Sequence, residues 1–137
     1  MNRRRGRTEA AGLGCAAALA LVVCAASARV GTVPVGSAPV GVAVVDGGRL
    51  VFVSNSNRFA RDQTVRQTLT VIDAARVGEG AAAVVGSVPA GLFPRQFGQM
   101  PDGQTLFVAN YISSELEVID LKRLTVGPPP AAAAPRP

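Results

Sequence analysis

The 137-residue chain has room for one domain at most, and 14 Lys or Arg against 9 Asp or Glu give it a formal net charge of +5. It contains no His, and both Cys precede residue 29, which excludes disulfides and thiolate or imidazole chemistry from the remainder. Residues 29–137 carry ten Lys or Arg and eight Asp or Glu, a net charge of +2, without a basic patch interleaved with aromatics, which argues against nucleic-acid binding.

The first 28 residues have the composition of an export signal. Four arginines between Arg3 and Arg7 precede an Ala/Leu/Val-rich run from Ala10 to Ala28 that ends in AASA. A charged start, an apolar centre and small residues at alternate positions predict a helical secretory signal peptide cleaved after Ala28, and a secreted, periplasmic or cell-envelope product. The alternatives are an uncleaved membrane anchor, since about 20 apolar residues can span a bilayer, and a misassigned start codon.

Short segments rich in Val, Ile, Leu and Phe follow, with turn residues between them. Such residues favour the pleated, half-buried surface of a strand. Outside residues 1–28, no segment has the apolar periodicity of an amphipathic helix. In chain order, the predicted strands are PVGVAVV (39–45), LVFVSN (50–55), LTVID (69–73), AAVVGSVPAG (82–91), RQFGQM (95–100), TLFVAN (105–110) and LEVID (116–120).

The chain repeats itself at a distance of 55 residues. Residues 33–55 align on residues 88–110 without a gap, and the copies align again at LTVID and LEVID, now 47 residues apart. The first copy therefore carries eight additional residues after Asn55. A repeat of this length predicts stacked supersecondary units. Identical pairs include Val33/Val88, Pro34/Pro89, Gly36/Gly91, Pro39/Pro94, Gly48/Gly103, Phe52/Phe107, Val53/Val108 and Asn55/Asn110.

Four short antiparallel strands in a repeat of this size are the pattern of a β-propeller blade. The combination of Gly-x-x-Pro, a PDG turn, Val-x-Asn and Val-Ile-Asp resembles the YVTN-type β-propeller repeats of secreted and lactonase-like proteins. The second copy is the closer match, because the first has VDGG in place of PDG. The resemblance implies an all-β fold for residues 29–124: two four-stranded antiparallel blades, at about 33–87 and 88–124, that form a partial propeller.

Two blades cannot close a propeller ring, because propellers typically contain four to eight. The predicted order is an outer strand at 30–35, four strands within 39–88 and three within 95–120, and the outer strand could complete the last sheet. Open faces and edges favour association. We expect a fragment of a larger propeller or, alternatively, several copies in one ring. The Pro/Ala-rich residues 125–137 are predicted to form a disordered tail.

Polar residues and glycines that recur at equivalent positions are expected to serve structure. The Asn and Asp side chains can bond nearby backbone groups at strand ends, and the glycines tolerate the positive φ of a turn. These residues are Asn55 and Asn110 at the end of the second strand, Asp73 and Asp120 at the end of the third, and Gly48 and Gly103 in the turns.

The inserted residues 56–68 provide the candidate ligand site. Because strands of a blade alternate in direction, this link lies on the same rim as the blade crossings GSAP and LFPR. Five charged residues on this rim are candidates for an anionic small molecule or protein, with a solvated loop as the alternative. They are Arg58, Arg61, Asp62 and Arg66 in the insertion, and Arg95 at the start of an inner strand.

Two main functions remain open at this point, and a third, a membrane-anchored repeat protein, depends on whether the first 28 residues are retained. The favoured one is an exported, non-catalytic binding or surface scaffold whose partners are further blades or copies of itself. The alternative is a fragment of a lactonase-like hydrolase whose catalytic residues lie on missing blades. Lactonase chemistry needs a general acid/base or a metal with several oxygen ligands. Glu115 and Glu117, the nearest carboxylate pair, are expected to be solvated, so we predict no catalysis, metal or cofactor for this chain alone.

Overall fold

The computed structural model describes residues 30–62, 64 and 66–130, which form two antiparallel sheets. The predicted signal peptide lies outside the described residues. No helix within the described ranges is long and apolar enough to cross a membrane. The four-stranded sheet consists of β1 (Pro39–Val45), β2 (Leu50–Asn55), β3 (Thr68–Asp73) and β4 (Val84–Pro89), and the three-stranded sheet of β5 (Pro94–Gln99), β6 (Thr105–Asn110) and β7 (Glu115–Asp120). Short 3-10 segments occupy Asp46–Gly48, Ala74–Ala83 and Leu121–Arg123.

The two sheets repeat each other in strand register. Val42 pairs with Val53 between β1 and β2, and their sequence equivalents Phe97 and Val108 pair between β5 and β6. β1 and β5, the first strands of the two sheets, each carry a register shift near their first residue. The shift follows Pro39 in one copy and Pro94 in the other. The sequence repeat is therefore also a repeat of backbone structure.

The main core lies between the sheets. Because successive side chains of a strand point to opposite faces, each sheet has two faces. One face of the four-stranded sheet packs against one face of the three-stranded sheet. Phe52, Leu69 and Val71 come from the first sheet, and Leu106 and Val108 from the second, and all five are fully buried. The inner strands β1 and β5 lie next to each other. This apolar contact between the sheets holds the two copies together.

A smaller core covers the opposite face of the first sheet. Val53 and Ile72 project from that face and contact Ala83 of the 3-10 segment. Val33 and Val35, which precede β1, pack on the same cluster. Residues 30–38 thus lie on the side of the first sheet that is turned away from the second sheet.

The prediction of two four-stranded sheets is correct for the first sheet and wrong for the second, which has three strands. Residues 30–35 form no strand and do not pair with β7. Burial of Val33 and Val35 against the first sheet accounts for this position, because the second sheet lies on that sheet's other side. The sheets do not close into a ring.

Residues 125–130, which the sequence assigns to a disordered tail, run beside the outer strand β4. Gly127 and Ser87 exchange two backbone hydrogen bonds, of 3.1 and 2.7 Å. The Ser87 hydroxyl also donates to the carbonyl of Pro128 at 2.6 Å. Gly127 can approach this closely because Gly86 has no side chain, and a Cβ there would lie 2.3 Å from the Gly127 oxygen. The rest of the predicted tail, residues 131–137, lies outside the described residues.

Candidate binding site at the loop rim

The crossing loops that precede each sheet and the inserted loop meet at one rim of the two sheets. The amide of Ser56 donates to the carbonyl of Ala38 at 3.2 Å, and at the equivalent place in the second copy Tyr111 donates to Phe93 at 2.9 Å. Ala38 and Phe93 both have positive φ, 49° and 60°, a conformation that L side chains seldom adopt. Each sheet is therefore preceded by the same tightly bent crossing, on the rim that strand alternation predicts.

Asn55 is the centre of a buried polar group beneath this rim in the first copy. Its amide nitrogen donates to the hydroxyl of Thr70 at 2.8 Å and to that of Thr68 at 3.2 Å. The crossing passes directly over it, and a Cβ on Gly36 would lie 2.6 Å from the Asn55 side chain. A glycine is needed here for space, and Asn55 connects the end of β2 to β3.

The second copy keeps the asparagine and changes its partners. The repeat replaces Thr68 and Thr70 by Glu115 and Glu117. Asn110 is 2% exposed, yet among the described residues neither atom of its amide has a hydrogen-bond partner, and the buried Oε2 of Glu117 has none there either. Buried polar atoms without partners weaken a fold by about 1–3 kcal/mol each. The buried polar side chains below the rim thus form fewer hydrogen bonds in the second copy than in the first.

Arg66 connects the inserted loop of the first copy to the second sheet. Its guanidinium lies 3.7 Å from a carboxylate oxygen of Glu115 and 3.9 Å from one of Glu117. Glu115 is exposed, as expected, but the side chain of Glu117 is only 25% exposed, so the expectation that both glutamates are solvated is wrong for Glu117. Both are on the face of β7 that is turned toward the first sheet, where they meet a cation from that sheet's loop.

Arg95 lies on the same rim but has a different environment. Its guanidinium carbon is 5.4 Å from the ring centre of Tyr111 and 5.9 Å from that of Phe93. No carboxylate among residues 30–62, 64 and 66–130 pairs with it. Stacking on aromatic faces orients a guanidinium while its N–H donors remain available.

A cleft between the two inner strands opens beside Arg95. Its volume is about 500 Å³, and Val40, Gly41 and Val42 of β1 form one wall. On the opposite wall, Gln96 and Phe97 accompany Arg95. A smaller cavity of about 190 Å³ lies between Arg95, Ala109 and Tyr111. Arg95 lines both spaces, which makes it the best-placed cation of the rim for a ligand.

Ser54 connects the two strands that border this cleft through one hydrogen bond to each. Ser54 accepts a hydrogen bond from the amide of Gly41 at 2.8 Å and donates to the carbonyl of Arg95 at 3.2 Å. A Cβ on Gly41 would lie 2.1 Å from that carbonyl oxygen. The close approach of β1 and β5 at this point therefore requires both the glycine and the serine, and it fixes the backbone of Arg95.

Of the three other charged residues of the insertion, two make contacts of their own. Arg58 covers the ring of Phe59 at 4.6 Å, and Arg61 is exposed. Asp62 accepts hydrogen bonds from the hydroxyl and the amide of Thr64, which lower the pKa of its carboxyl. In the part of the chain that the structure describes, no hydrogen bond or ion pair joins these three charged residues to Arg66 or Arg95.

The repeated aspartates and turn glycines lie on the opposite rim. Asp73 accepts from the amide of Ala75 at 3.0 Å, and Asp120 from that of Lys122 at 2.9 Å, so each caps the 3-10 segment that follows it. Gly48 and Gly103 have φ of 92° and 68°. The aspartates thus cap the segments that follow them, and the glycines supply the positive φ of the turns.

Sequence reasoning missed the aromatic platform of Phe93 and Tyr111 and the cross-sheet role of Ser54. A signal for the buried polar group was available, because aligning the copies shows two threonines replaced by two glutamates. Within residues 30–62, 64 and 66–130, no group of three or more His, Cys, Asp or Glu is arranged to hold a metal ion.

No family model matches the chain, and no curated protein matches it. Among solved structures, the chain is similar to one from Kuenenia stuttgartiensis hydrazine synthase, with 25% sequence identity and a TM-score of 0.49. The match covers 77% of this chain and 28% of the other, so this chain spans less than a third of its neighbour's length. A likeness this low assigns no function, and the YVTN resemblance stays a prediction.

Proposed function

We propose that this protein is an exported β-propeller repeat module, part of a larger propeller, that serves as a non-catalytic binding or surface scaffold. Two antiparallel sheets packed face to face, each preceded by the same crossing loop, support this assignment. Propellers commonly bind ligands at the rim around their axis, and the rim of this chain carries the Gly41–Arg95 cleft. The ligand class that fits is a carboxylate-bearing anion, either a small molecule or an acidic segment of a protein.

One observation carries the binding role. Arg95 is an exposed guanidinium without an acidic partner among the described residues, and two aromatic rings orient it beside a cleft of about 500 Å³. By contrast, Arg49 and Arg76 pair with carboxylates in their own turns, and Arg66 pairs across the sheets. Arg95 is thus free to form a bidentate pair with an incoming carboxylate.

An NMR titration of the full chain with citrate tests this role. We expect saturable shifts of the amide resonances of Gly41, Gln96 and Tyr111, which line the two cavities that share Arg95. Arg95→Gln removes the guanidinium and should abolish these shifts. Arg95→Lys should weaken them, because an ammonium group lacks the planar donor fork.

Arg49→Gln is the matched control, since Arg49 is exposed and lies in the β1–β2 turn on the opposite rim. It should leave the titration unchanged. If citrate causes no saturable shift, or if Arg49→Gln weakens the shifts as much as Arg95→Gln, the rim is not an anion site and the proposed binding role is wrong.

A further inference from the structure

Equivalent apolar residues are buried in the first sheet and exposed in the second. Leu69 and Val71 are 0% exposed because the second sheet covers them, whereas their repeat equivalents Leu116 and Val118 are each 63% exposed. Phe107, the equivalent of the fully buried Phe52, is partly exposed. We call Phe107, Leu116 and Val118 the open face. It presents to solvent the same residue types that the first sheet buries against its neighbour.

The second sheet also has an open edge. In the first sheet β3 pairs with β4 over residues Thr68–Ile72, whereas β7, the equivalent of β3, pairs only with β6. Shifted by the repeat distance, β4 corresponds to residues 29–34. Residues 30–34 are therefore the segment whose sequence matches the strand that the second sheet lacks.

Residues 30–34 lie against the first sheet in the position that the outer strand of a sheet before it would occupy. Val33 packs on the first sheet beside Val53, as its equivalent Val88 packs in the core that contains Val108. The following glycines agree, because Gly36 touches Asn55 as Gly91 touches Asn110. Residues 33–36 thus contact the first sheet as residues 88–91 contact the second.

The chain therefore contains a spare outer strand and a sheet that lacks one, on opposite sides of the first sheet. They cannot meet within one chain, because the first sheet separates residues 33–35 from the second sheet. We propose that copies of the protein associate head to tail, with residues 30–34 of one copy pairing antiparallel to β7 of the next. This inference rests on the proposed propeller architecture and names its partner as a second copy of the chain.

The β3–β4 register specifies the contact. The β3–β4 pairs Leu69↔Val88 and Thr70↔Ser87 have repeat equivalents in the proposed contact. Leu116 of one protein copy then pairs with Val33 of the next, and Glu117 pairs with Thr32. The open face of the first copy then meets the exposed β1 valines of its neighbour, Val42 and Val44. Val42 is suited to this contact, because its equivalent Phe97 packs into the core between the sheets.

The contact joins two different surfaces and so repeats from copy to copy until a ring closes. Each copy supplies two sheets, and propellers contain four to eight blades. Rings of two, three or four copies meet that requirement. Closure pairs the free edge of β7 and covers the open face of each copy, both of which a lone chain leaves in water.

Light scattering of the full chain, combined with size exclusion, tests the assembly. We expect a discrete mass of two, three or four chains, and Val118→Arg should reduce it to that of one chain because a charge would be buried in the contact. Ile112→Arg is the matched control: Ile112 is exposed and lies in the β6–β7 turn, off the open face. It should keep the assembled mass.

A disulfide test keeps the proposal falsifiable even if Val118→Arg fails to fold. One chain carries Thr32→Cys, a second carries Glu117→Cys, and both have Cys15 and Cys24 replaced by alanine. Mixed under oxidising conditions, the two should form a disulfide-linked heterodimer. Thr32→Cys mixed with Asp102→Cys, which lies in the β5–β6 turn, is the control and should form none.

A wild-type chain that is folded and monomeric at all concentrations overturns the proposal, and it would indicate that further blades of another chain cover the open face. A mass that Val118→Arg leaves unchanged, or equal disulfide yields in the two mixtures, overturns it as well. None of these results bears on citrate binding at Arg95, so failure of the assembly is distinguishable from failure of the proposed binding role.

Discussion

Gly91 lies so close to Asn110 that a Cβ built on the glycine would be 2.6 Å from the amide nitrogen of the asparagine. The same relationship joins Gly36 to Asn55, one repeat earlier. In each copy of the repeat the crossing loop runs directly over the last residue of the second strand. The identical Gly and Asn residues are therefore a packing pair, and the repeat preserves both members.

Gly91→Ala should destabilise the protein. The added methyl group must displace Asn110 or the crossing loop, and overpacking of this kind costs about 1–3 kcal/mol of unfolding free energy. Gly98→Ala is the control within the same sheet, because its nearest contact would be Phe107 at an ordinary 3.9 Å. Urea unfolding followed by circular dichroism measures both, and equal midpoints for the two variants would refute the packing pair.

Substitutions in the buried polar groups below the rim should change the unfolding free energy in opposite directions in the two copies of the repeat. Glu117→Thr gives Asn110 the hydroxyl that Thr70 gives Asn55, and one net hydrogen bond contributes about 1 kcal/mol. Measured at high salt, where screening weakens the competing ion pair with Arg66, the unfolding free energy should rise by about that amount.

The complementary change is Thr70→Val in the first copy. It removes a hydrogen-bond acceptor from the buried Asn55 amide and should lower the unfolding free energy by about 1–3 kcal/mol. If Glu117→Thr lowers stability as Thr70→Val does, the two positions are not equivalent and the account of the second-copy rim is wrong.

The ion pairs between Arg66 and the β7 glutamates should contribute little to stability. The Arg66 side chain is 64% exposed, and exposed pairs typically contribute about 0–1 kcal/mol. A double-mutant cycle of Arg66→Ala and Glu117→Gln should therefore give a coupling free energy below about 1 kcal/mol that falls as salt rises. A coupling of several kcal/mol that salt leaves unchanged would contradict this estimate.

Thr64→Val should raise the pKa of Asp62. The Thr64 hydroxyl is the larger cause of the lowered pKa, and the backbone amide of residue 64 remains after the substitution. The folded pKa is depressed, so any stabilisation by this turn exists above the unfolded pKa and is lost as the pH falls through the folded pKa. An NMR titration of the carboxyl carbon checks the shift, and an unchanged pKa would show that the hydroxyl does not donate to Asp62.

Local sequence patterns were sufficient for the strands but not for their partners. Turn glycines and alternating apolar residues predicted the first three strands and the last three with small changes in their bounds. The fourth was predicted too long at both ends: residues 82–83 belong to a 3-10 segment, and the strand ends at Pro89. Residues 30–35 carry the strand pattern as well, but a pattern does not specify which sheet a segment meets, and burial of Val33 and Val35 decides it.

The contacts at the rim were harder to predict from the sequence than the strands, because they depend on packing between the two sheets. Alternation places Glu115 and Glu117 on one face of β7, but only the packing of the two sheets turns that face toward Arg66. Likewise, Arg95 was identified from its place at the start of an inner strand, whereas its stacking on Phe93 and Tyr111 follows from the crossing loop. Contacts between distant segments carry these features, and no single segment encodes them.

The second sheet covers one face of the first sheet and leaves its own equivalent face open. The most direct measurement compares the unfolding free energies of Leu69→Ala and Leu116→Ala, at a concentration low enough to dissociate any assembly. Leu69→Ala should cost about 2–5 kcal/mol, because a buried leucine leaves a cavity. Leu116→Ala should cost less than about 0.5 kcal/mol, as for an exposed position. Equal losses at the two positions would contradict the claim.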